Sequence, residues 1–133
     1  HIEKDSMFNT PPVFPIYVSM LTLRWLKEKG GVEYIEQIND DKAKMLYKEI
    51  DRNSLFYGIV KKENRSNMNV TFNLYDNNLS DDFNKLCEEN GINGLTGHRS
   101  VGGYRASLYN ALPKKSVEFL IKLMKKFEDK KND

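Results

Sequence analysis

The apolar residues of this chain change their spacing several times, and each change marks an element. Val13, Phe14, Ile16, Tyr17, Val18, Met20, Leu21, Leu23, Trp25 and Leu26 fall on nearly every face of a 3.6-residue period. They predict a helix from Val13 to Lys29, stopped by Gly30-Gly31, with Pro15 tolerated in its first turn. Such a helix is normally buried all round. A small domain has trouble enclosing it, so part of its surface is expected to lie against another domain or subunit. Val32, Ile35, Ile38, Met45, Leu46 and Ile50 then form a cleaner stripe, with acids early and lysines late, predicting a helix over Val32–Asp51.

Beyond residue 54 the period shortens to two. Leu55–Val60 and Met68–Leu74 read as strands. In the second, Met68, Val70, Phe72 and Leu74 alternate with Asn69, Thr71 and Asn73, one face for a core and one polar. Ser80 is the expected N-cap of a helix over Asp81–Glu89, closed by Asn90-Gly91. After a short stretch at Ile92–Leu95 and a loop from Gly97, Tyr104–Tyr109 reads as a strand. Pro113 opens a last helix with Val117, Leu120, Ile121, Met124 and Phe127 on one face. The order helix, helix, strand, strand, helix, strand, helix implies an α/β chain: a two-layer α+β sandwich in which helices cover a small mixed or antiparallel sheet.

Composition narrows the class. The 133 residues are 39% hydrophobic and 30% charged, as in a globular protein with one modest core. A net charge of +2 gives no drive toward nucleic acid. The longest apolar run, Val13–Leu26, is broken by Ser19, Thr22 and Arg24, so no membrane span is expected. Cys87 is the single cysteine, so no internal disulfide can form, and a reducing, cytoplasmic compartment is expected. The chain begins with His1 rather than Met, a hint that sequence precedes it.

The candidate chemistry lies in GHRSVGGYRASLYNALP, Gly97–Pro113. Alternation from Tyr104 sets Arg105, Ser107 and Tyr109 on one face and Tyr104, Ala106 and Leu108 on the other. If the second set is core, Arg105 stands above the sheet. Gly102-Gly103 lets the backbone turn sharply just before it. His98, Arg99 and Arg105 could form a fork for carboxylate or phosphate. Surface salt bridges for the arginines and a turn cap for His98 fit the spacing equally well. Asn9-Thr10, held by Pro11-Pro12 at a helix start, could offer an amide and a hydroxyl to an anion, and N-capping accounts for them nearly as well. Cys87 falls on the apolar side of a short helix and is expected to pack. Arg65 is expected in a structural ion pair. The lysines are assigned to helix polar faces, a strand end and the charged tail. Two histidines and one cysteine, far apart, leave no metal-ligand spacing.

Three segments in order, FNTPPVFPIYVSMLTLRWLKEKGGVEYI, RSNMNVTFNL and GHRSVGGYRASLYNALP, with a final helix ending in MKKF, resemble the C-terminal part of the phosphoserine aminotransferase family. These are pyridoxal-phosphate enzymes of the fold-type I, class V transaminase group. The similarity runs from Phe8 to Phe127. It implies that residues 1–30 are an interdomain segment with a buried helix and residues 31–133 the small C-terminal domain, the large cofactor-binding domain lying outside this chain.

The resemblance further implies an exchange of an amino group between glutamate and 3-phosphohydroxypyruvate, giving phosphoserine and 2-oxoglutarate for L-serine biosynthesis, in a homodimer with active sites at the subunit interface. By match of position, Arg105 would clamp the substrate α-carboxylate. His98 and Arg99 would hold the phosphate or the distal carboxylate of glutamate. Asn9 and Thr10 would reach the phosphate of pyridoxal 5'-phosphate from the neighbouring subunit. The Schiff-base lysine of the family lies upstream of the Asn-Thr-Pro-Pro element, so no catalytic residue is expected in this segment, which alone would be inactive. The alternatives are a non-catalytic module that binds small anions or dimerises, and a class V transaminase of different specificity.

Overall fold

The computed structural model describes residues 2–98 and 100–132. The chain divides into two compact units, His1–Glu36 and Gln37–Asp133.

In the first unit, a 3-10 turn at Ile2–Lys4 and an extended stretch lead to helix α1, Val13–Glu28. Its serine and threonine hydroxyls are absorbed by its own backbone: Ser19 Oγ donates to Pro15 O at 2.8 Å and Thr22 Oγ1 to Val18 O at 3.0 Å. Two amides close its end, Lys29 N–H on Trp25 O and Gly30 N–H on Lys27 O. Gly30 adopts φ +112°, a conformation that side chains resist. None of the residues of α1 is buried, and Phe14 is 76% exposed. Val13, Phe14, Ile16, Tyr17, Val18, Leu21 and Leu23 are exposed, while Met20, Trp25 and Leu26 are half-buried.

Helix α2, Gly31–Arg52, continues into the second unit. There, strands β1 (Phe56–Gly58), β2 (Asn69–Leu74) and β3 (Tyr104–Ser107) form one antiparallel sheet in the order β1-β2-β3. The register sets Tyr57 opposite Asn73, Thr71 opposite Arg105 and Asn69 opposite Ser107. One sheet face, made of Phe56, Val70, Phe72, Leu74, Tyr104, Ala106 and the following Leu108, is buried against α2, α3 (Ser80–Glu89) and α4 (Lys114–Asn132). The sheet is wholly antiparallel and the architecture two-layered, as the pattern implies.

The core beneath the sheet is aromatic. Phe83 packs edge-on against Phe56 at 4.9 Å and against Tyr104 at 5.2 Å between ring centroids. Each such pair contributes about 0.5–1.5 kcal/mol beyond the area it buries. Cys87 is buried in the same cluster, as expected.

Two local expectations need correction. Ser80 is not an N-cap: a 3-10 turn at Asn77–Leu79 runs straight into α3, and Asp76 one turn earlier accepts the Asn78 N–H at 2.9 Å. The stripe of α2 is also rotated from its expected position. Val32 is 67% exposed, while Asn39, Lys42, Glu49 and Asn53 are buried beside Leu46 and Ile50. Polar side chains can take core positions where they find partners, which hydrophobic spacing does not register.

Candidate functional site

The outer face of the sheet is polar. Asn69, Thr71 and Asn73 of β2 lie beside Arg105 and Ser107 of β3, and Ser107 Oγ donates to Asn69 Oδ1 at 3.2 Å. Arg105 is the sole charged residue in the three strands. Its side chain is exposed and, among the described residues, takes part in no hydrogen bond or ion pair. The surface salt bridge that the sequence allowed is therefore not made. Arg65 contrasts with it: both guanidinium nitrogens engage Asp51, at 2.8 and 2.6 Å, the structural pair expected there. A cation set on a neutral polar face with its donors unspent is suited to an external anion. Arg105 also lines a groove of about 490 Å³ together with Ser107, Lys115 and Ser116.

The loop before β3 is closed by its own backbone. Gly97 N–H donates to Gly103 O at 2.8 Å, and His98 O accepts both Val101 N–H and Gly102 N–H at 2.9 and 2.8 Å. Glycine is required at two places. A Cβ on Gly97 would overlap the Gly102 carbonyl oxygen, and Gly103 has φ +67° with a would-be Cβ 3.0 Å from Phe72 O. The loop thus lies directly on β2, and Arg105 N–H donates to Leu95 O at 2.7 Å at the far edge.

His98 closes a turn through its carbonyl and leaves its ring exposed. The ring is oriented through Nδ1, which lies 2.8 Å from Ser100 Oγ and accepts the Ser100 N–H at 3.3 Å. Nε2, on the other side of the exposed ring, has no partner among the described residues. Arg99 lies outside the described residues.

Asn9 and Thr10 precede α1 and are exposed. Neither caps the helix: Pro12 is the N-cap residue, and no side chain bonds to the first turn. The capping explanation thus falls away. An amide and a hydroxyl remain before a helix start whose first turn carries no acid, a donor set that fits a phosphate group.

Two further reactive groups, Cys87 and Lys42, are buried. Burial pushes the Cys87 thiol up to about 11, with Glu88 adding to the effect, so thiolate is scarce at neutral pH. Lys42 departs from the assignment of the lysines to polar surfaces. Every other lysine is exposed, but Lys42 is 0% exposed, and its ammonium donates to Leu108 O at 3.1 Å, Tyr109 O at 2.8 Å and Leu112 O at 3.2 Å. Burial lowers its pKa from the usual lysine value. Three acceptors require three N–H donors, which only the charged form has. One turn earlier on α2, Asn39 Nδ2 donates to Asn110 Oδ1 at 2.8 Å. Lys42 stands four residues before Leu46 and seven after Ile35, in line with the buried stripe, but only its partners distinguish it from a surface lysine.

A family model described as class-V aminotransferase matches residues 2–120. The phosphoserine aminotransferase of Flavobacterium psychrophilum is 59% identical over 130 residues, which is 98% of this chain and 36% of that protein. That of Parabacteroides distasonis is 56% identical over 96% of this chain and 37% of its own length. Among solved structures, phosphoserine aminotransferase from Bacillus circulans subsp. alkalophilus superposes with a TM-score of 0.92 at 43% identity, over 98% of this chain and 36% of that one. The pyridoxal-phosphate-bound phosphoserine aminotransferase of Trichomonas vaginalis gives 0.85 at 38% identity, over 93% of this chain and 36% of that one. This chain spans a little over a third of the length of the curated relatives it matches. Among the described residues, no helix is long and apolar enough to cross a membrane.

Proposed function

This chain belongs to the class-V aminotransferase family, and on that premise we propose that it forms the C-terminal part of a phosphoserine aminotransferase. The protein containing it would transfer an amino group between glutamate and 3-phosphohydroxypyruvate, a step toward L-serine, as a cytoplasmic homodimer. The observation that carries this reading is an identity of 59% over nearly the whole chain, in a segment that includes the anion-reading loop and strand.

Each substrate has anionic groups at two ends, so recognition needs two separated cationic or donor sites. Arg105, free on a neutral sheet face, clamps the α-carboxylate. His98, with its ring exposed, and Arg99 hold the phosphate or the distal carboxylate. Asn9 and Thr10 bind the phosphate of pyridoxal 5'-phosphate in the neighbouring subunit. When bound, that cofactor supplies the electron sink that amino-group transfer requires. Lys42 is sequestered by three carbonyls, and the cofactor lysine is assigned to the part of the protein that precedes this segment.

The test is transamination by the purified full-length protein, following 2-oxoglutarate release from glutamate. We expect turnover with 3-phosphohydroxypyruvate and much weaker turnover with pyruvate. Equal use of the two keto acids would overturn the phosphate-reading assignment.

A further inference from the structure

We propose that Lys42 is a positioning residue for Arg105: its buried ammonium fixes the chain leaving β3 and so sets the direction in which the guanidinium meets the substrate. The inference rests on the reading of Arg105 given above. β3 is the last strand of the sheet, paired along its length with β2 and met on its other side only by the short bridge from Thr96 to Tyr104. Its entry is tied on the open side by Arg105 N–H on Leu95 O. Its exit is tied by Leu108 N–H on Met68 O at 2.7 Å and, from α2, by Lys42. Tyr109 O accepts Leu112 N–H as well as the ammonium, so one carbonyl joins the exit turn to the buried cation.

A buried charge is a poor way to gain stability, because an apolar residue of similar volume often serves as well or better. What it supplies is direction. Three donors on one point charge accept one arrangement of the Leu108, Tyr109 and Leu112 carbonyls, and Asn39 fixes Asn110 between them. The Arg105 backbone is three residues from the first of those carbonyls. An edge strand free to pivot there would carry the guanidinium out of register with its ligand, and a misplacement of about 1 Å can cost on the order of 100-fold in rate.

The experiment uses the full-length protein with Lys42→Met, Asn39→Ala, Arg105→Ala and the Lys42→Met/Arg105→Ala double variant. Measurements are the KM for glutamate, competitive inhibition by glutarate, cofactor absorbance and the thermal midpoint. We expect Lys42→Met to weaken both glutamate and glutarate about tenfold, with cofactor absorbance unchanged. In the Arg105→Ala background the same change should cost less than about twofold, because the residue acts through the arginine. If Lys42→Met folds poorly, Asn39→Ala, which loosens the same turn, should show the same dependence on Arg105 with a smaller effect. A lowered midpoint with unchanged KM and inhibition, or equal losses with and without Arg105, would overturn the proposal. No effect of Arg105→Ala itself would instead reject the reading of the site.

Discussion

Replacing Gly97 by alanine isolates the contribution of a single missing side chain to the loop that precedes β3. The added Cβ would overlap the Gly102 carbonyl oxygen and sit 3.1 Å from Gly103 O, both of them backbone atoms that no rotamer change can move away. Forcing a methyl group into such a contact costs about 1–3 kcal/mol. Parting the strands of the loop also stretches the Gly97 N–H bond to Gly103 O, for a further loss of about 0.5–1.5 kcal/mol. Three backbone bonds close the loop from within, the Gly97 one and the two onto His98 O. At about 1 kcal/mol net each, they sum to little more than the strain, so the loop opens rather than the core. Tyr104 and Phe72 beneath it stay packed.

The expected result in the full-length protein is a rise of about tenfold or more in KM for 3-phosphohydroxypyruvate, since 1.4 kcal/mol corresponds to a factor of ten. Amide exchange over residues 97–103 should quicken, with little change in the thermal midpoint. Gly102→Ala is the control. Its Cβ would meet nothing within 4 Å, leaving only the strain of φ +73°, about 1 kcal/mol. Its effect should be the smaller of the two. Unchanged KM and loop exchange in Gly97→Ala, or a larger effect from Gly102→Ala, would refute the reasoning.

Arg105→Ala should lower kcat/KM by about 1.5–3 kcal/mol, on the order of 10- to 150-fold, the value of a charge-assisted bond. The thermal midpoint should hold, because the side chain has no partner among the described residues to lose; a drop in the midpoint with normal kinetics would assign Arg105 to structure. Glu128 joins the end of α2 to α4. Burial pushes its carboxyl up, but Ser54 N–H at 2.6 Å, the Ser54 hydroxyl and Arg52 at 2.7 Å more than offset this and hold it below the ordinary 4.5. A depressed carboxyl stabilises the fold above its unfolded pKa and loses that contribution as pH falls through the folded one. Glu128→Gln should therefore destabilise by about 1.5–3 kcal/mol at pH 7 in denaturant unfolding, the gap closing below pH 4.5. A gap of constant size across that range would show that the charge contributes nothing.

Much of the fold could be read from spacing because it follows from local periodicity. The alternation through Val70, Phe72 and Leu74 specified which face of β2 is buried, and the same rule placed Arg105 outward from Tyr104, Ala106 and Leu108. Helix limits at Gly30 and Gly91 came from residues that tolerate positive φ, a property of the residue itself. The residues able to form a fork for anions could also be named in advance, since few residue types can, and the Arg105 variant tests whether they do so.

What spacing could not reach is which polar groups find one another across long separations. Asn39, Lys42, Glu49 and Glu128 look like surface residues on a helix. They are buried where partners from elsewhere in the chain meet them: Asn110 at Asn39, the Leu108, Tyr109 and Leu112 carbonyls at Lys42, Lys125 at Glu49, and Arg52 and Ser54 at Glu128. The same holds in reverse for Asn9 and Thr10, whose freedom from capping is visible only once Pro12 is seen to begin α1 unaided. Periodicity measures the cost of leaving apolar surface in water, which each residue carries with it. A hydrogen bond between distant groups belongs to the pair, and only the folded chain decides which pairs exist.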